Sequence, residues 1–280
     1  MLKVHAQSYC MRFVAFAACF LLNCPVFAQR DSAITVSRDS GYFSSFDGTK
    51  IYYEVHGSGK PVLLIHGFIV NGSTWRGTPL LKELTGNGFQ VITMDLRGNG
   101  KSDKPRDEQA YADDAEVKDL IGLASHLHLA AYDAVGYSRG SIIAARLLVL
   151  DKQVRKAVLG GMGTGFTNPQ WPRRLLFYEA FSGKPVKELE GLIANVKRRG
   201  LDTAVLANLQ KYQPTTLPSA LKKIRQPVLI ISGDADADNG SAPDLAKMFR
   251  NATTATVPGD HDHTAGTAAF ASEVVLFLKR

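Results

Sequence analysis

Cysteine is nearly missing from this sequence: the 280 residues hold three, Cys10, Cys19 and Cys24. From residue 25 onward, therefore, no disulfide framework, thiolate-held metal or cysteine nucleophile is possible. Long apolar runs are equally scarce. The longest covers residues 13–22, which is short for a bilayer span, so a membrane protein of several spans is excluded. There is no internal repeat and no low-complexity tract, which removes solenoids, collagen-like chains and wholesale disorder. Strong charge of one sign is missing as well. The net +7 is spread along the chain in short basic clusters at 152–156, 197–199 and 222–223. None alternates with aromatic residues as a nucleic-acid platform would, so they read as solvated faces. What is present, 45% apolar and 21% charged residues, is the composition of an ordinary globular domain with ample material for a core.

Residues 1–28 stand apart. Lys3 and Arg12, with no acidic residue, precede the apolar run, and Val26 and Ala28 supply small residues at the −3 and −1 positions of a cut before Gln29. This is the pattern of a secretory signal peptide, with Met11 as an alternative start. Residues 16–19 half resemble a lipoprotein cleavage site, but an aromatic replaces the usual leucine, so a lipid anchor is not expected. The expected mature chain is periplasmic or secreted, lacks cysteine and carries +5, because Lys3 and Arg12 leave without any acid.

Beyond a polar, extended stretch at 29–40, short β-branched runs alternate with helical patterns. Strands are expected at 51–55, 62–66, 90–95, 132–136, 156–160, 228–232 and 254–257, which argues for a mostly parallel sheet with helices on both faces. Val117, Leu120, Ile121, Ala124 and Leu127 share one helical face, with Asp113 and Asp114 near the positive end of the dipole. His126 and His128 close that helix as surface residues. A nearly all-apolar helix follows Ser138, as suits burial behind a central strand. The alternation breaks between Gly163 and about Ser219, where five prolines and several aromatics suggest short helices, and a last helix is expected over 268–278.

Three motifs carry chemistry. Gly136-Tyr137-Ser138-Arg139-Gly140 joins a strand to a helix, the setting in which a serine is held in a strained turn and presented at the sheet edge. The helix behind it offers the Arg139 N–H to a developing negative charge. His66-Gly67-Phe68 follows another strand end, placing the Phe68 N–H as a second such donor, with His66 itself structural. The glycine-rich 95–103 segment lacks the order of a phosphate-binding or dinucleotide-binding loop and reads as a structural loop beside a pocket.

With these residues in this order, followed by Gly233 to Asp236 and a late histidine, the sequence resembles the α/β-hydrolase fold superfamily over nearly all of the mature chain. The resemblance implies an eight-stranded, mostly parallel sheet flanked by helices, with a small helical lid inserted after the sixth strand. The expected segments are a leader at 1–28, a core at 29–162 and 220–280, and the lid at 163–219. It further implies Ser138 as nucleophile, and the family's Gly-x-x-Asp spacing selects Asp236 as the acid, with Asp234 and Asp238 as alternatives. For the base, His261 and His263 both follow the last strand, at two and four residues after Gly259 rather than the family's usual three, and His261 is favoured as nearer the strand end. The pair also has the look of a metal clip, but no third ligand stands at telling spacing.

The implied function is a serine hydrolase that cleaves a carboxylic ester or related small-molecule acyl substrate through an acyl-enzyme, with no metal or organic cofactor. Trp171, Phe177, Tyr178 and Phe181 would either line the substrate site or pack lid against body. Serine at the turn argues against the dehalogenases and epoxide hydrolases of the superfamily, which carry aspartate there. Carbon–carbon bond hydrolysis, lactone cleavage and cofactor-free perhydrolysis use similar residues, and the fold does not choose among them. Outside these, the alternatives are a non-catalytic ligand-binding protein on the same fold and a membrane-surface lipase. Arg139 reads either as salt-bridged structure or as a carboxylate anchor, and oligomeric state has no signature in the chain.

Overall fold

In the computed structural model, which describes residues 38–237 and 239–280, eight strands form one sheet in the order β1-β2-β4-β3-β5-β6-β7-β8. They are β1 (Arg38–Ser44), β2 (Lys50–His56), β3 (Lys60–Ile65), β4 (Phe89–Met94), β5 (Tyr132–Tyr137), β6 (Val154–Gly160), β7 (Val228–Gly233) and β8 (Ala252–Val257). The β1–β2 and β2–β4 pairings are antiparallel and every other pairing is parallel. The expected leader and the alternative acid Asp238 lie outside the described residues.

The strands read as expected, with one addition. β1 carries Arg-Asp-Ser-Gly-Tyr-Phe-Ser, a composition that hides a strand; of residues 39–44 only Phe43 reaches the core, and the strand's backbone pairs with β2 along its whole length, from Arg38 opposite His56 to Ser44 opposite Lys50. An edge strand wet on one side needs little apolar pattern, because its ladder to β2 supplies the order.

Helices cover both faces: α1 (Pro79–Gly86), α2 (Ala115–His126), α3 (Arg139–Leu150), α4 (Pro172–Phe181), α5 (Glu190–Arg198), α6 (Thr203–Lys211), α7 (Pro218–Leu221), α8 (Ala242–Ala246) and α9 (Ala268–Lys279). Successive strand residues point to opposite faces, and β3 divides accordingly. Leu63 and Ile65 pack with α2 and α3 residues such as Leu120 and Ile143, while Val62 and Leu64 pack with Leu80 and Leu84 of α1 and Phe270 and Val274 of α9. The central strand β5 is covered on both faces, so all six of its residues are buried, Asp133 included.

Asp113 and Asp114 do not serve α2 as simple dipole partners. Both take left-handed backbone angles (φ 52° and 60°), and Asp114 makes no capping bond. Its carboxylate instead accepts two bonds from Arg146 Nε and one from Nη2 at 2.7 Å, tying α2 to α3. Between β6 and β7 the chain forms α4 to α7. There Phe181, Val196, Val205, Leu206 and Leu209 gather with Tyr111 into a third apolar cluster, against which Phe68 packs.

Candidate functional site

The turn between β5 and α3 sets the site. Ser138 adopts φ 54° and ψ −125°, a backbone state that costs an L-residue on the order of 1–3 kcal/mol. Close packing holds it there. A Cβ on Gly136 would stand 2.3 Å from the Gly140 carbonyl oxygen, and one on Gly140 would stand 2.1 Å from that of Ile65, so neither position admits a side chain without moving backbone. The Ser138 N–H donates to Gly160 O at 2.8 Å, and Ser141 N–H returns to Ser138 O at 2.9 Å.

Across the sheet edge, the loop after β8 brings in His261. Its Nε2 lies 2.9 Å from Ser138 Oγ and its Nδ1 lies 3.0 Å from Asp236 Oδ2, in the loop after β7. The Asp236 side chain is 3% exposed and that of His261 18%. Two further contacts fix the histidine: Tyr137 Oη donates to its backbone oxygen at 2.7 Å, and the Asn239 side-chain nitrogen lies 3.3 Å from Nδ1 while donating to Gly161 O at 3.2 Å. Burial pushes the Tyr137 phenol above its ordinary pKa, and the nearby Asp236 charge adds to this, so it remains a donor.

The other residues singled out in the sequence go elsewhere. His263 is exposed and its Nδ1 bonds Asp260 at 2.7 Å, so it does not meet Ser138. Asp234 accepts the Gly259 N–H at 2.9 Å on the surface. Among the described residues, no group of histidines and carboxylates is arranged to hold a metal ion. His66 is fully buried, accepting the Leu96 N–H on Nε2 at 3.0 Å and bonding Gly67 O through Nδ1, and burial pushes its pKa down. In the 95–103 loop, the Asp95 carboxylate accepts the Gly72 and Lys101 N–H groups, so the loop's anion site is filled by its own side chain.

Arg139 resolves as ion-paired structure. Its guanidinium faces the buried Glu116 carboxylate in a two-bond fork and donates to Leu209 O at 2.9 Å. Its backbone N–H, first of α3, and that of Phe68, which meets no acceptor among the described residues, are both available beside Ser138. Phe68, Ser138, Arg139 and His261 border one cavity of about 70 Å³, with Ile142, Met162, Trp171 and Phe177 as its apolar wall. Of the four aromatics named from the sequence, Trp171 and Phe177 face this space, whereas Phe181 is 3% exposed and packs edge-on against Phe68. Asn239, Arg174, Gln210 and Gln213 also line it and carried no sequence signal, since no motif surrounds them.

The arrangement offers a hydroxyl bonded to an imidazole, an imidazole bonded to a carboxylate, and two N–H donors at one cavity mouth. Comparison with known proteins agrees with the fold. Residues 60–186 match the family model described as alpha/beta hydrolase fold. A putative non-heme chloroperoxidase of Synechocystis is 29% identical over 75% of this chain and 87% of its own length. A non-heme haloperoxidase of Rhodococcus erythropolis is 28% identical over 78% and 91% respectively. Among solved structures, a bromoperoxidase from Bacillus anthracis superposes with a TM-score of 0.69 at 27% identity, covering 86% of this chain and all of that one.

Proposed function

We propose, from the premise that the chain belongs to the α/β-hydrolase superfamily, that it is a serine hydrolase acting on carboxylic esters through an acyl-enzyme. The observation that carries this reading is the unbroken line from Ser138 Oγ through His261, 2.9 Å and 3.0 Å per step, to Asp236, starting from a strained serine at a helix N-terminus. Ser138 Oγ attacks the ester carbonyl carbon and its proton passes to His261 Nε2. Asp236 accepts the Nδ1–H, holding the tautomer and stabilising the imidazolium. The carbonyl oxygen becomes an oxyanion facing the Phe68 and Arg139 N–H groups, donors of a kind typically worth ~3 kcal/mol each in the transition state. The carbon–oxygen bond to the leaving group breaks as His261 returns the proton to the alkoxide. Water then attacks the acyl-enzyme, losing its proton to His261, and the acid departs as Ser138 regains its hydrogen.

The helices of 163–219 serve in this reading as a lid over the cavity. The reading is tested by hydrolysis of p-nitrophenyl acetate and butyrate. Ser138→Ala and His261→Ala are expected to lose on the order of 10⁴-fold or more in kcat/KM while His263→Ala keeps wild-type turnover. Stoichiometric capture of a fluorophosphonate without turnover of any ester would favour a binding protein instead.

The similarity to haloperoxidases supports a second use of the same acyl-enzyme, with hydrogen peroxide replacing water as the acceptor and a peracid leaving in place of the acid. Bromination of monochlorodimedone in acetate with peroxide and bromide, abolished by Ser138→Ala, is the expected result. We further propose that the chain is exported after removal of 1–28. An N-terminus at Gln29 on protein recovered outside the cytoplasm is the expected outcome, and an intact leader there counts against it.

A further inference from the structure

The cavity beside Ser138 has an apolar wall and a polar one. Gln210, near the end of α6, and Gln213 just beyond it are 5% and 7% exposed, and both line this cavity. Neither side-chain amide has a hydrogen-bond partner among the described residues. The amide atoms themselves keep access to the cavity space, so a ligand there can bond them.

The charge of the same wall narrows the choice. Arg174 of α4 borders the cavity and bonds only carbonyl oxygens: Gln210 and Lys211 through Nη1 at 3.0 and 3.2 Å, and Pro169 through Nη2 at 2.7 Å. Its Nε is buried with no partner, and burial pushes its pKa down. Carbonyls orient a guanidinium but do not neutralise it. Among the described residues that line the cavity there is no aspartate or glutamate; of the two other arginines that border it, Arg139 is matched by Glu116, and Arg173 has a partner of its own and lies 5.1 Å from the centre of the Phe177 ring. Arg174, partly desolvated and bonded only to carbonyls, beside two amides that open to the same space, is the complement of a carboxylate.

We propose that the substrate is a monoester of a short dicarboxylic acid, its free carboxylate held by Arg174 with Gln210 and Gln213 while its ester carbonyl meets Ser138. The inference rests on the hydrolase reading above and names the substrate class for that site. Trp171, Phe177 and Ile142 border the same cavity and would stand against the methylene groups.

The test compares monoethyl succinate with ethyl butyrate and monoethyl glutarate with ethyl valerate, following acid release at constant pH. The uncharged amide of monoethyl glutarate separates charge from hydrogen bonding. The wild-type protein is expected to favour each monoester over its neutral isostere by roughly tenfold or more in kcat/KM, with the amide well below the acid. Arg174→Met and Gln213→Leu should bring that ratio near one, and Gln213→Glu should invert it. Calorimetry of Ser138→Ala with glutarate supplies a reading independent of turnover: binding is expected, and it should be lost in Ser138→Ala/Arg174→Met. Turnover of the neutral esters with no preference for the monoesters overturns the proposal and leaves the hydrolase reading standing. Absence of turnover on every ester overturns the hydrolase reading, and in that event glutarate binding still supports the carboxylate site while its absence overturns that too.

Discussion

At Gly140 a missing side chain decides whether the serine turn can form. Alanine there would drive its Cβ into the carbonyl oxygens of Ile65 and His66, at 2.1 and 2.8 Å, and these belong to backbone that cannot rotate away. Gly140→Ala is therefore expected to cost about 1–3 kcal/mol in urea denaturation, with a matching fall in ester turnover as Ser138 shifts against His261. His66 makes a second prediction at this scale. Its Nε2 must stay unprotonated to accept the Leu96 N–H, and burial holds its pKa below the ordinary histidine value. The unfolded chain, with a value near ~6.5, then takes up the proton first as pH falls, so the stabilisation is complete above that value and drains away below it. The stability gap between wild type and His66→Gln should be constant from pH 8 to about 7 and narrow toward pH 5. A gap that does not change with pH would remove this role.

Between elements, one ion pair joins α2 to the start of α3. The Glu116 and Arg139 side chains are 5% and 4% exposed and bond in a fork, directly behind the serine turn. Glu116→Gln would leave the Arg139 cation buried and unmatched, a loss that commonly reaches about 3–5 kcal/mol, and it should lower the thermal midpoint and ester turnover together. If the variant melts like wild type, the pair contributes nothing to stability. The spacing of apolar residues predicted α2 well, because an amphipathic helix writes its buried face into the order of residues. The same spacing was silent on β1, whose order comes from pairing with β2, and on the use of Asp114, which is claimed by Arg146 from another helix.

Across the whole molecule, distant segments meet at Arg97. This fully buried guanidinium, in the loop after β4, bonds Asp119 of α2, Asp47 of the β1–β2 turn and the Ala110 carbonyl. Burial by itself would raise the Asp47 carboxyl, but hydrogen bonds from Arg97 and Thr49 outweigh it and hold the pKa at about 2. The sign follows from linkage. A folded value below the unfolded ~3.9 contributes stability above that pH and loses it as the pH falls toward the folded value. Acid titration of Asp47→Asn should show a deficit at neutral pH that shrinks between about pH 4 and pH 2. A deficit that stays constant over this range would mean that the pair acts through packing alone.

Taken alone, the order of residues determined the alternation of strands and helices, the serine turn between two glycines, and the loops in which a histidine and a carboxylate would fall. These are local matters: β-branched runs, helical spacing and turn chemistry act over a few residues and are written in consecutive positions. The nearness of His261 rather than His263 to Ser138, the pairing of Arg139 with Glu116, and the meeting of Asn239, Arg174, Gln210 and Gln213 at one cavity were decided by the tertiary structure. Those residues lie far apart along the chain. Only the stacking of the sheet, its loops and the helices between β6 and β7 brings them within hydrogen-bonding range of one another or of a shared ligand.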